Sequence, residues 1–88
     1  MGYSLTFSSN FQKHYKIFTA KQKKQIHNKL ELLCENPAHP SLRVKKIKGT
    51  ASFWEMSVNM DIRIIFEFEG ETIIILADIG HHDILRKF

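Results

Sequence analysis

Residues 53–79, FWEMSVNMDIRIIFEFEGETIIILADI, decide the fold. Trp54, Met56 and Val58 alternate with Glu55 and Ser57, and Ile62, Ile64, Phe66 and Phe68 alternate with Arg63, Ile65 and Glu67. Side chains of a strand point to opposite faces in turn, so this period of two marks strands with one face turned to a core. Asn59-Met60-Asp61 and Glu69-Gly70-Glu71 separate the apolar runs and carry residues that tolerate the positive φ of tight hairpins. The expected strands are 53–58, 62–68 and 72–79, an antiparallel β-meander.

Upstream, Tyr3, Leu5 and Phe7 alternate with Ser4, Thr6 and Ser8, which predicts a first strand. Ser9 with Gln12 has the form of a capping box, and Phe11, Tyr15 and Phe18 follow at helical spacing. Thr19 with Gln22 repeats the signal. It opens a longer helix with Ile26, Leu30 and Leu33 as its apolar stripe and Lys21, Lys23, Lys24 and Lys29 left to solvent. That helix should stop at Asn36-Pro37, because the residue before proline is pushed out of the helical region. His39 and Pro40 then belong to a loop, and a basic stretch from Arg43 to Lys48 leads as a strand into the meander. The expected fold is α+β: an N-terminal strand, two antiparallel helices, then the antiparallel meander, with the helices on one face of the sheet. It forms a single domain over residues 1–88.

At 88 residues the chain can bury one core, and any active site must lie on its surface. Its 43% hydrophobic and 25% charged content is that of a globular domain, not a disordered segment. A formal charge of +4 suits a polyanionic or acidic partner. The lone Cys34 excludes an internal disulfide and gives no cysteine-based zinc site, which points to the reducing cytoplasm. No apolar run approaches a membrane span, so no membrane partner is expected.

If the last hairpin turns about Gly70, the end of the final strand near Asp78 runs beside the start of the Ile62 strand. His81 and His82 then fall beside Arg63, on the face shared with Glu55 and Ser57 and left open by the helices. Lys45, Lys46 and Lys48 approach from the other edge. Such a cluster has what metal-free RNA cleavage needs: groups that move protons from a 2′-hydroxyl and to a departing 5′-oxygen, and a cation for the phosphorane. His82 is the candidate general acid or base, with His81 as its understudy. Arg63 is the phosphorane stabiliser, since its planar fork matches phosphate oxygens. Glu55 is the second proton-transfer group, Phe88 a stacking surface for a displaced base, and Lys45, Lys46 and Lys48 the contacts to the RNA backbone. Plainer roles stand beside these: Glu55 and Arg63 as an exposed cross-hairpin ion pair, and His81-His82-Asp83 as the cap of a short last helix. Adjacent histidines with no spaced partner do not converge on a metal, so neither a metal nor another cofactor is expected.

The segment Lys46-Ile47-Lys48-Gly49, then Trp54-Glu55, Ile62-Arg63-Ile64-Ile65-Phe66 and Ile79-Gly80-His81-His82-Asp83, resembles the RelE/ParE toxin superfamily in order and spacing. With the strand and two helices before it, the likeness spans essentially the whole chain. The resemblance implies the toxin of a type II toxin-antitoxin system, cleaving messenger RNA in the ribosomal A site. Its partners would be a cognate antitoxin, the ribosome and messenger RNA. It maps the superfamily's central-strand catalytic position onto Arg63 and the C-terminal one onto His82, a histidine shared with the YafQ and YoeB branches. Glu55 matches the YoeB-type base, and Phe88 replaces a tyrosine found in RelE. ParE-like members inhibit DNA gyrase instead and typically lack that histidine. A non-catalytic module that holds RNA or protein on its basic face is a third possibility.

Overall fold

The computed structural model describes residues 2–88 apart from the side chain of Lys87; Met1, the first residue of the expected domain, lies outside the described residues. The chain forms β1 (Ser4–Phe7), α1 (Ser9–Tyr15), α2 (Ala20–Glu35), a 3₁₀ turn (Pro40–Leu42), β2 (Lys45–Lys46), β3 (Trp54–Ser57), β4 (Ile62–Glu69), β5 (Ile73–His81) and a C-terminal 3₁₀ helix (His82–Lys87).

The strands make one five-stranded sheet in the order β1-β5-β4-β3-β2. The four later strands pair antiparallel, as the short hairpin turns between the strands of the meander required. β1 pairs with β5 in parallel, Ser4 opposite Ile73 through Phe7 opposite Leu76. Alternation fixes which face a strand buries but says nothing of its direction beside a partner, and with β1 parallel to β5 the sheet is mixed.

α1 is capped by Ser8 rather than Ser9. The Ser8 Oγ accepts from the Phe11 amide at 3.1 Å and donates to the Ala77 carbonyl at 2.7 Å. Gln12 Nε2 donates to the Phe7 carbonyl at 3.1 Å, so the expected reciprocal capping box does not form. In α2 the box is as expected: the Gln22 amide donates to Thr19 Oγ1 at 3.1 Å and the Thr19 amide to Gln22 Oε1 at 2.9 Å. Asn36 ends the helix before Pro37.

Phe11, Phe18, Ile26, Leu30 and Leu33 from the helical segment pack on Met56, Val58, Ile62, Ile64, Phe66, Ile74, Leu76 and Ile79 of the sheet. Each such fully buried side chain contributes about 1.5–3 kcal/mol over leaving it exposed. The opposite face of the sheet is not wholly open. The C-terminal 3₁₀ helix folds back on it and builds a second, smaller core of Ile47, Ile65 and Ile84, flanked by Phe53, Ala77, Leu85 and Phe88. Ile65 thereby gains a buried site on the face that the alternating pattern assigned to solvent. The β4–β5 ladder slips between Ile65, opposite Asp78, and Phe66, opposite Leu76, which leaves Ala77 as the extra residue of a bulge.

Candidate active site

Antiparallel register carries the end of β5 to the β3–β4 turn. Ile62 lies opposite His81 and Arg63 opposite Gly80, as the hairpin about Gly70 required. The turn is built by Asn59, whose Oδ1 accepts from the amides of Asp61 and Ile62, each at 2.8 Å. Asp61 is thus held where two imidazoles reach it. His81 Nδ1 stands 2.6 Å from Asp61 Oδ2, and His82 Nδ1 stands 3.2 Å from Asp61 Oδ1. Hydrogen bonds from His81 and then His82 hold the Asp61 carboxyl below the usual carboxylate range. With both Nδ1 atoms occupied, each ring has Nε2 left for a substrate. His82 is 72% exposed at its side chain, and His81 rests its ring on Phe18 at 5.6 Å between centroids.

Arg63 is fixed by backbone rather than by a carboxylate. Its Nη1 donates to the Asn59 carbonyl at 2.7 Å and to the Ile62 carbonyl at 3.2 Å. The expected cross-hairpin pair with Glu55 does not form: Arg63 faces Ser57 across the ladder, while Glu55 faces Ile65 on one side and Lys45 on the other. Glu55 is also buried, at 7% exposure, in the part of the sheet beside the C-terminal helix.

The structure therefore brings His81 and His82 together on Asp61, whereas Arg63, two residues further on, lines a separate pocket, and the other candidates stand apart from the histidines. Lys45 flanks Glu55, but Lys46, one residue on, turns to the other face and lies over the Trp54 ring at 5.7 Å. Lys48 is exposed beyond β2. Phe88 packs edge-on against Phe53 at 5.2 Å, as part of the smaller core. His81 occupies the N-cap position of the last helix without a side-chain capping bond, and Asp83 is the acidic residue of its first turn.

Two features escaped the sequence. Asp61 read as a turn residue only, although its place one step before the Ile62 strand, opposite the two histidines, was a usable signal. His14 had none. Its Nδ1 stands 2.6 Å from Oδ1 of the buried Asp78, which also accepts from the Ile79 amide at 2.8 Å. The contact joins residues far apart in the chain, beside the β5 bulge. Among the described residues no group of three or more His, Cys, Asp or Glu could hold a metal ion. No helix among them is long and apolar enough to cross a membrane.

Two helices on a mostly antiparallel five-stranded sheet make the α+β fold of RelE-like toxins. The chain is similar to YoeB from Staphylococcus aureus, solved as a dimer, at 22% identity and a TM-score of 0.76, covering 93% of this chain and 99% of that one. It is similar to RelE in the archaeal RelE-RelB complex from Pyrococcus horikoshii OT3, at 15% identity and a TM-score of 0.76, over 92% and 96% of the two chains. YafQ from Escherichia coli, in the DinJ-YafQ complex, gives 15% identity and a TM-score of 0.76 over 94% and 96%. No curated protein sequence matches the chain significantly. Residues 3–85 match the family model of the ParE toxin of type II toxin-antitoxin systems, and the chain belongs to that family, within the RelE/ParE toxin superfamily.

Proposed function

We propose that this toxin is a ribosome-dependent endoribonuclease that cleaves messenger RNA in the cytoplasm by metal-free acid–base chemistry. The observation that carries this is the convergence of His81 and His82 on one carboxylate, Asp61, two residues before the backbone-anchored Arg63. Asp61 orients both rings through Nδ1, and the two Nε2 atoms share the proton transfers. One imidazole takes the proton of a ribose 2′-hydroxyl as its oxygen attacks the adjacent phosphorus. The bond from phosphorus to the 5′-oxygen breaks, and the other imidazole gives that oxygen its proton. The products are a 2′,3′-cyclic phosphate and a 5′-hydroxyl. Arg63 neutralises charge gathering on the phosphorane. His81 takes the second proton-transfer role in place of Glu55, whose burial keeps it from solvent. Lys45 and Lys48 supply positive potential for the RNA backbone, and the ribosome positions the codon. Phe88 remains available for stacking only if it leaves Phe53.

A type II toxin works with an antitoxin, and an acidic antitoxin segment over the basic face would neutralise this one. Mapping the ends of the cleaved transcript tests the chemistry: a 2′,3′-cyclic phosphate supports it, whereas a 3′-hydroxyl with a 5′-phosphate contradicts it. One observation favours a second reading, inhibition of DNA gyrase: the matching family model is that of ParE. A supercoiling assay with purified gyrase distinguishes the two.

A further inference from the structure

Lys29 from α2, Arg43 after the 3₁₀ turn and Arg63 from β4 line one pocket, together with Ser41, Ser57, Val58, Asn59 and Met60. Three cations from three separate elements meet there, and no carboxylate lines the pocket among the described residues. Every ion pair among the described residues uses a histidine as its cation, so none of the three is neutralised by a neighbour. Like charges gathered without a counter-charge repel one another, and an anion in the pocket relieves this. Arg43 adds an independent sign. Its backbone sits at φ 50, the left-handed region that glycine enters freely and a side chain enters with strain. The Ser57 hydroxyl is a further donor, while Ser41 Oγ is shared with His39 Nδ1 at 2.9 Å.

We propose that this pocket binds a phosphodiester of the RNA strand next to the one cleaved. The proposal rests on the endoribonuclease reading and extends it along the substrate. The β3–β4 turn separates the pocket from the histidine pair: Asn59 and Arg63 line the pocket, and Asp61 between them holds His81 and His82. A strand crossing this turn presents successive phosphates to the two sites. The planar fork of Arg43 suits phosphate oxygens, and Lys29 adds a point charge.

The test is fluorescence anisotropy of a 2′-O-methyl RNA decamer, which cannot be cleaved, with the wild-type protein and with Arg43→Gly, Lys29→Gln and Lys24→Gln across a salt series. Lys24 is exposed on the same helix outside the pocket, and its substitution removes the same charge. Arg43→Gly and Lys29→Gln should each weaken binding about five- to tenfold and lower the salt slope by about 0.7 per lost contact, with Lys24→Gln close to wild type. Urea melts should find Arg43→Gly at least as stable as wild type, which a merely structural arginine would not allow. Equal binding by all four proteins overturns the proposal. So does a pocket-dependent affinity for poly-glutamate with none for the decamer, which would assign the pocket to an acidic protein. Intact transcripts in a translating system, with decamer binding still dependent on Arg43 and Lys29, would sink the nuclease reading and leave the pocket standing.

Discussion

A β-carbon on Gly80 would lie 2.9 Å from Cδ1 of Ile84 and 3.2 Å from its Cβ, so the residue opposite Arg63 has no room for a side chain. Ile84 anchors the C-terminal 3₁₀ helix that begins at His82. Gly80→Ala should therefore displace that helix, at about 1–3 kcal/mol in urea unfolding, the usual cost of overpacking. Cleavage should fall by more than that stability loss explains, because His82 moves with the helix. Activity at a temperature where the variant is fully folded measures this; wild-type cleavage there would separate Gly80 from the site.

Asp61 should control the acid side of the site. Its carboxyl is held below the usual range by bonds from His81 and His82, so the folded group titrates lower than the unfolded one. The stability this supplies is complete above the unfolded carboxylate range and disappears as pH falls through the folded value. Urea melts of wild type and Asp61→Asn should differ by a constant amount near neutral pH and converge in acid. At neutral pH, Asp61→Asn should also lower cleavage at least tenfold, because neither imidazole is then oriented by a carboxylate.

His14 should matter for stability and not for chemistry. It supplies one of the two hydrogen bonds that reach the buried Asp78 carboxylate, and so ties α1 to the bulge of β5. His14→Ala leaves that carboxylate underpaired and should cost about 1–3 kcal/mol. The double variant with Asp78→Asn should cost less than the sum of the two singles, the signature of a direct interaction in a double-mutant cycle.

Periodicity gave away the meander and the apolar faces of both helices, because Met56, Ile64, Leu30 and their neighbours must meet one core whatever the details. The hairpin at Gly70 also revealed that the end of β5 returns to the start of β4, with His81 opposite Ile62. What stayed hidden depends on tertiary facts with no local pattern. The parallel direction of β1 was one, and the contact of Asp78 with His14 beside the bulge another. The fold-back of Ile84 onto Ile65 was the third, and it covers part of a face expected to be open. Lys46 was misplaced for a simpler reason: in a two-residue strand, adjacent lysines cannot share a face.

The most direct test of the central claim is primer extension on a messenger RNA translated in a purified system, with wild type, His82→Ala and Arg63→Ala. Cuts within codons that require the ribosome, and that fall at least a hundredfold in both variants, are the expected result. Transcripts left intact by the wild-type protein, or cuts that persist in both variants, would contradict it.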